Sequence, residues 1–144
     1  MVRERRLHVY LDSSVVLRKL FRQPGAILIW DHWDTACSSE LLQVEVLRTI
    51  DREIAKGTLE DQEVAKHRAA FLNWIEGIDI IQLRGPLLAR ASGSFPIPLT
   101  TLDALHLATA LAWKEQNDLP LALWTHDHQL ALAARAMGLE VEGA

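Results

Sequence analysis

Cys37 is the single cysteine of this 144-residue chain, so no internal disulfide can form and a reducing compartment is expected. Basic charge is also scarce: 15 Lys and Arg stand against 19 Asp and Glu, a net charge of −4. Proteins that hold nucleic acid by broad electrostatic attraction are usually basic, so any such contact here must be local or assisted by a cation or partner. No apolar run approaches the ~20 residues of a membrane helix. The basic start (Arg3, Arg5, Arg6) leads into an apolar run that already stops at Asp12, too short for a signal-peptide core. The cytoplasm is therefore the expected location. Repeats, linkers, low-complexity stretches and Gly-rich phosphate loops are missing too. What is present is an ordinary globular composition, 49% apolar and 24% charged, which excludes disorder. One domain spanning residues 1–144 is expected.

The pattern along the chain alternates strand and helix. Residues 7–11 alternate and end in Asp-Ser-Ser, a strand running into a helix N-terminus. A short helix follows and stops near Pro24-Gly25; a second short helix is predicted over 26–33, then a brief strand at 35–37. Ser38 or Ser39 is placed as the cap of a long helix ending at Gly57, and 58–76 reads as the next. Further strands are predicted at 78–83, 121–125 and 139–141, and helices at 85–92 (loosely), 100–115 and 128–137, with an irregular loop around Pro96 and Pro98. Short apolar strands between helices predict a parallel sheet covered on both faces.

Four acids stand out on this frame: Asp12 and Asp127 just past strand ends, Asp103 and Glu45 in apolar helical segments. In a parallel sheet the C-terminal strand ends share one edge, where ligands bind. Gathered carboxylates repel one another and are tolerated mainly when a hard cation such as Mg²⁺ or Mn²⁺ neutralises them. Each acid taken singly has a plainer explanation. Asp12 and Asp127 suit helix N-caps, Asp103 suits the third position of a Thr100-x-x-Asp103 capping box, and Glu45 could pair with Arg48. Capping and metal binding are compatible for the three aspartates, since helix N-termini lie at the ligand edge. Glu45 differs: it sits among Leu41, Leu42, Val44, Val46 and Leu47 and needs either Arg48 or a cation as partner.

The ordered set of segments resembles a PIN domain, and within that superfamily the ribonuclease toxin of a VapC-type toxin–antitoxin pair. The segments are Val9-Tyr10-Leu11-Asp12-Ser13-Ser14, the run from Ser38 through Glu45 to Arg48, Leu102-Asp103-Ala104-Leu105-His106 with Leu107-Ala108-Thr109-Ala110, Thr125-His126-Asp127, and the tail ending at Val141. The resemblance implies a three-layer α/β/α sandwich with a central parallel sheet, metal-dependent endonuclease activity on RNA, and a cognate antitoxin. It assigns Asp12, Glu45, Asp103 and Asp127 to an acidic quartet holding Mg²⁺ or Mn²⁺, with Ser14 and Thr125 in support. Arg48 is a candidate phosphate contact. A homodimer or a toxin–antitoxin hetero-oligomer is expected. Unusual for the pattern are His126, between Thr125 and Asp127, and the Pro-rich loop before Asp103.

The expected chemistry is in-line attack of water on the scissile phosphorus, with the bound ion activating that water and stabilising the departing 3′-oxygen, to leave a 5′-phosphate and a 3′-hydroxyl. Two rivals use the same residues: a non-catalytic binding module whose acids are caps, and a metal-dependent phosphatase of small esters. The six histidines show no paired ligand spacing, which argues against zinc. His106, one turn after Asp103, suits either a local hydrogen bond or a role in orienting that carboxylate. Trp30 and Trp33 are expected to cover a core or a partner interface rather than to stack bases.

Overall fold

The structure, a computed structural model, describes residues 6–144; the basic Arg3 and Arg5 lie outside the described residues. Among these, the chain runs β1 (His8–Leu11), α1 (Ser13–Leu20), β2 (Thr35–Ser39), α2 (Leu41–Ala55), α3 (Asp61–Ile75), β3 (Asp79–Ile81), α4 (Gly85–Ala91), α5 (Thr101–Asn117), β4 (Ala122–Trp124), α6 (His128–Ala136) and β5 (Glu140–Glu142). All strand pairs are parallel, in the order β3-β2-β1-β4-β5. No helix among the described residues is long and apolar enough to cross a membrane.

Side chains two apart on a strand share a face, and here that periodicity divides the core in two. Val9, Leu11, Ala122 and Trp124 pack with Val15, Val16, Leu42, Val46, Ile50 and Phe71 from α1, α2 and α3. Tyr10, Cys37 and Leu123 face the other way, against Leu107, Ala110 and Leu111 of α5 and Leu130, Ala133 and Ala134 of α6. The result is a helical layer on each face of a central parallel sheet, a three-layer α/β/α sandwich. β1 is buried along its whole length because both of its neighbours are strands and both faces are covered.

The strand order fixes where a ligand can sit. From β1 the chain moves outward to β2 and β3, then crosses to β4 and β5 on the other side. The reversal therefore falls between β1 and β4, and the crevice beyond their C-terminal ends is the switch point at which such sheets bind ligands. Asp12 follows β1 and Asp127 follows β4, so both stand at its mouth.

One expected helix is absent. Residues 26–33 form turns instead, with Asp31 at φ 72°. The turns fold its two tryptophans inward. Trp30 stacks edge-on against Trp33 (centroids 5.1 Å apart) and tilts against Trp74 of α3 (5.2 Å), while Trp33 meets Trp124 of β4 (5.6 Å). Trp30 is thus a core residue. Leu28, at the tip of the same segment, is 96% exposed.

Candidate functional site

Asp12 is buried at the end of β1, and three hydroxyls meet it. Ser14 and Thr125 each donate to Oδ2 at 2.7 Å, and Ser13 lies 3.4 Å from Oδ1. Although Asp12 occupies the N-cap position of α1, its side chain makes no capping bond, so the carboxylate is turned to the crevice instead. Thr125 reaches it because register pairs Leu11 with Trp124, which brings the residues after both strands side by side. The same Thr125 hydroxyl accepts from the Asp127 backbone N–H at 2.9 Å, and Ser14 accepts from that of His126. Asp127 does cap its helix: Oδ1 accepts from Leu130 N–H at 2.8 Å.

Glu45 enters from the second turn of α2. It does not pair with Arg48, which turns outward to bridge Asp51 at 2.9 Å. Its partner is His106 of α5, whose Nε2 lies 2.5 Å from Oε1. His106 is fully buried, contacts the Tyr10 hydroxyl through Nδ1 at 2.6 Å, and stands 3.7 Å from Asp12 Oδ1. Burial opposes a charge on this imidazole, but the bond to Glu45 and the Asp12, Glu45 and Asp103 carboxylates outweigh it and raise its pKa. The histidine thus serves Glu45, not Asp103 as its spacing suggested.

Asp103 sits at the third position of α5, where Thr100 accepts from its backbone N–H as the capping box predicted. Its carboxyl is pushed up from 3.8 to about 6, first by burial and then by the charges of Asp127 and Asp12. Asp103 thus lies within electrostatic reach of both Asp127 and Asp12. Asp12 and Glu45 are linked a second way: Ser13 Oγ lies between Asp12 Oδ1 (3.4 Å) and Glu45 Oε2 (3.1 Å). A hydroxyl has one proton and cannot satisfy two carboxylate oxygens. Asp12 Oδ1 and Glu45 Oε2 therefore share one hydroxyl proton, with His106 Nε2 3.7 Å from Asp12 Oδ1.

Hydrogen bonds join Asp12, Glu45, Ser14, Thr125 and the Asp127 backbone at the switch point, and Asp103 is linked to Asp12 and Asp127 by charge alone; Arg48 stays on the exposed face of α2. Among the described residues, no group of three His, Cys, Asp or Glu side chains is already assembled to hold a metal ion. Ser13 and Tyr10 were not singled out from the sequence. Ser13 follows Asp12 as half of an ordinary Ser-Ser capping pair, and Tyr10 reads as one more apolar strand residue. His126 contributes its backbone, while its ring turns to the Gly143 carbonyl (Nδ1 to O, 2.7 Å).

Comparison with known proteins agrees with this fold. The PIN domain family model matches residues 9–136. Ribonuclease VapC47 of Mycobacterium tuberculosis is 30% identical over 137 residues, covering 90% of this chain and 92% of its own. Ribonuclease VapC46 of the same species is 31% identical over 137 residues, covering 92% and 95%. Among solved structures, VapBC2 from Rickettsia felis, bound to a DNA fragment from its promoter, aligns with a TM-score of 0.63 at 12% identity, covering 94% of this chain and 98% of that one. VapBC-1 from nontypeable Haemophilus influenzae gives 0.60 at 12% identity, over 94% and 97%. With the family model spanning nearly the whole chain and full-length relatives at this identity, the protein belongs to the PIN domain family, among the VapC ribonucleases.

Proposed function

We propose that this protein is a cytoplasmic, divalent-metal-dependent endoribonuclease and the toxin of a toxin–antitoxin pair. The observation that carries the reading is the acid-crowded state of the cleft, where two carboxylates share one serine proton and a third is raised by burial and then by its acidic neighbours. The donor set is hard oxygen, which suits Mg²⁺ or Mn²⁺. Asp12, Glu45, Asp103 and Asp127 would hold it. When bound, it would neutralise the cleft, lower the pKa of a water and stabilise charge on the phosphate.

The chain's own residues do the rest. Ser14 and Thr125 clamp one Asp12 oxygen, so the carboxylate cannot rotate away from the cleft. Thr125 also holds the backbone at Asp127. Asp103, pushed up to about 6 in the metal-free protein, is the acid for which proton and cation would compete near neutral pH. Arg48 is a candidate phosphate contact at the margin. With net negative charge, the protein would select RNA by shape and unpaired segments rather than by bulk attraction.

The relatives' structures are of VapBC complexes, and an antitoxin is the expected partner here. A groove between α1 and α3 has Phe21, Ala70 and Trp74 along it and Lys19, Arg22 and Lys66 beside them. It suits an amphipathic segment with acidic flanks, and an Arg or Lys of the same antitoxin would enter the acidic cleft and block it. The assembly would be a homodimer or a toxin–antitoxin hetero-oligomer.

Parallel assays with a structured RNA and with p-nitrophenyl phosphate, each with and without Mn²⁺, separate the rivals. Metal-dependent cleavage of the RNA alone is expected. Turnover of the small ester would favour a phosphatase, and binding without cleavage a non-catalytic module.

A further inference from the structure

Resting on the reading of the cleft as a metal site, we infer that His106 is a positioning residue for that site. Tyr10 sets the imidazole with its proton on Nε2, and this N–H tethers Glu45 beside Asp12 where the two carboxylates can capture a divalent cation.

The tautomer follows from the partners. Nε2 faces a carboxylate oxygen able only to accept, so in the neutral ring the proton is on Nε2. Nδ1 is then the acceptor, and the Tyr10 hydroxyl, 2.6 Å away, donates to it. One strand and two helices meet through this chain of bonds: Tyr10 on β1, His106 on α5, Glu45 on α2. Both ring nitrogens are occupied and the ring is 0% exposed, so it cannot turn.

The tether has work to do because Glu45 is repelled by Asp12. Its side chain is long and 18% exposed, so an untethered Glu45 can turn its carboxylate toward solvent and away from Asp12. The bond to Nε2 fixes Oε1 and leaves Oε2 toward Ser13, facing the same space as Asp12 Oδ1. Metal sites use such outer hydrogen bonds to aim their ligands, and removing one typically costs ~10–100-fold in affinity.

Mn²⁺ titration by calorimetry on the full chain tests this, together with long-range ¹H–¹⁵N spectra of the His106 ring in metal-free protein. The variants are His106→Ala, His106→Gln and Tyr10→Phe, with melting curves to verify folding. The wild type is expected to carry the ring proton on Nε2. His106→Ala should weaken Mn²⁺ binding ~10-fold or more. His106→Gln should recover most of it, because its amide N–H stands near the position of Nε2. Tyr10→Phe should spread the ring proton over both nitrogens and weaken binding to an intermediate degree. Should the Ala variant fail to fold, the Gln and Phe variants decide. Wild-type affinity in a folded His106→Ala or in Tyr10→Phe, or a ring proton on Nδ1 alone, would overturn the inference, as would a Gln variant as weak as a folded Ala variant. A wild type that binds no Mn²⁺ would instead remove the reading of the cleft, and the inference with it.

Discussion

Thr125 and Asp12 lie 113 residues apart in the chain, and the hydroxyl of one donates to the carboxylate of the other at 2.7 Å inside the protein. This bond spans the β1–β4 switch point and ties both rims of the cleft together, since Thr125 also accepts from the Asp127 backbone. Thr125→Val keeps the shape and removes the hydroxyl. It should destabilise the fold by about 1.5–3 kcal/mol, the value of a hydrogen bond to a charged group. RNA cleavage should fall further than that loss of folded protein explains. Chemical denaturation and cleavage rates on the same preparation check both, and an unchanged rate would separate Asp12 placement from activity.

Metal should stabilise the native state. For an ion that binds only folded protein, a concentration 100 times its dissociation constant adds about 2.7 kcal/mol, or roughly 5–10 °C in melting temperature for a chain of this size. Glu45→Gln should show a much smaller rise, because the charge beside Ser13 is gone. Equal shifts in wild type and variant, read by calorimetry in Mn²⁺, would remove Glu45 from the site.

The raised pKa of Asp103 gives the cleft a pH signature. As pH falls through about 6, folded protein takes up a proton that the unfolded chain does not bind until nearer 3.8. Stability of the metal-free protein should therefore rise between pH 7 and pH 5 from this group. His106, whose pKa is also raised, acts in the same direction: its contribution is present at low pH and lost as pH climbs through its folded pKa. Mn²⁺ affinity should run the opposite way and drop below pH 6, with Asp103→Asn flattening the profile. An affinity that holds constant from pH 7 to pH 5 in the wild type would show that Asp103 is not titrating at the ion.

The inward-folded tryptophans give a test away from the site. Trp30→Ala should cost about 3–5 kcal/mol through the cavity left between Trp33 and Trp74, and should reduce the near-ultraviolet dichroism of the stack. Leu28→Ala, two residues earlier but 96% exposed, should leave stability within about 0.5 kcal/mol. Comparable losses at both positions would mean that the segment packs differently.

The layered fold and the placing of Asp12 and Asp127 just past β1 and β4 were legible in the sequence, because strand and helix alternate and an acid follows each of these two strands. Residues 26–33 misled, since apolar spacing alone cannot tell a helix from turns that fold their aromatics into a neighbouring layer. Glu45 was marked correctly as needing a partner, but Arg48 is one turn away in sequence and His106 is 61 residues away. Only the docking of α5 against the sheet joins them. Tyr10 was hidden for a related reason: its hydroxyl matters only through a contact 96 residues distant, and in sequence it is one apolar position of a buried strand.

The most direct measurement is the cleavage rate of an end-labelled RNA by wild type and Asp12→Asn, each in Mn²⁺ and in chelator, with the product ends identified. Asn keeps an oxygen to accept from Ser14 and Thr125, so the variant should melt near the wild type and serve as a folded control. Wild type in Mn²⁺ should yield 5′-phosphate and 3′-hydroxyl ends, while the variant or the chelated enzyme should be slower by ~10²-fold or more, several kcal/mol of transition-state stabilisation. Equal cleavage by wild type and folded Asp12→Asn, or full activity in chelator, would contradict a metal-dependent acidic site.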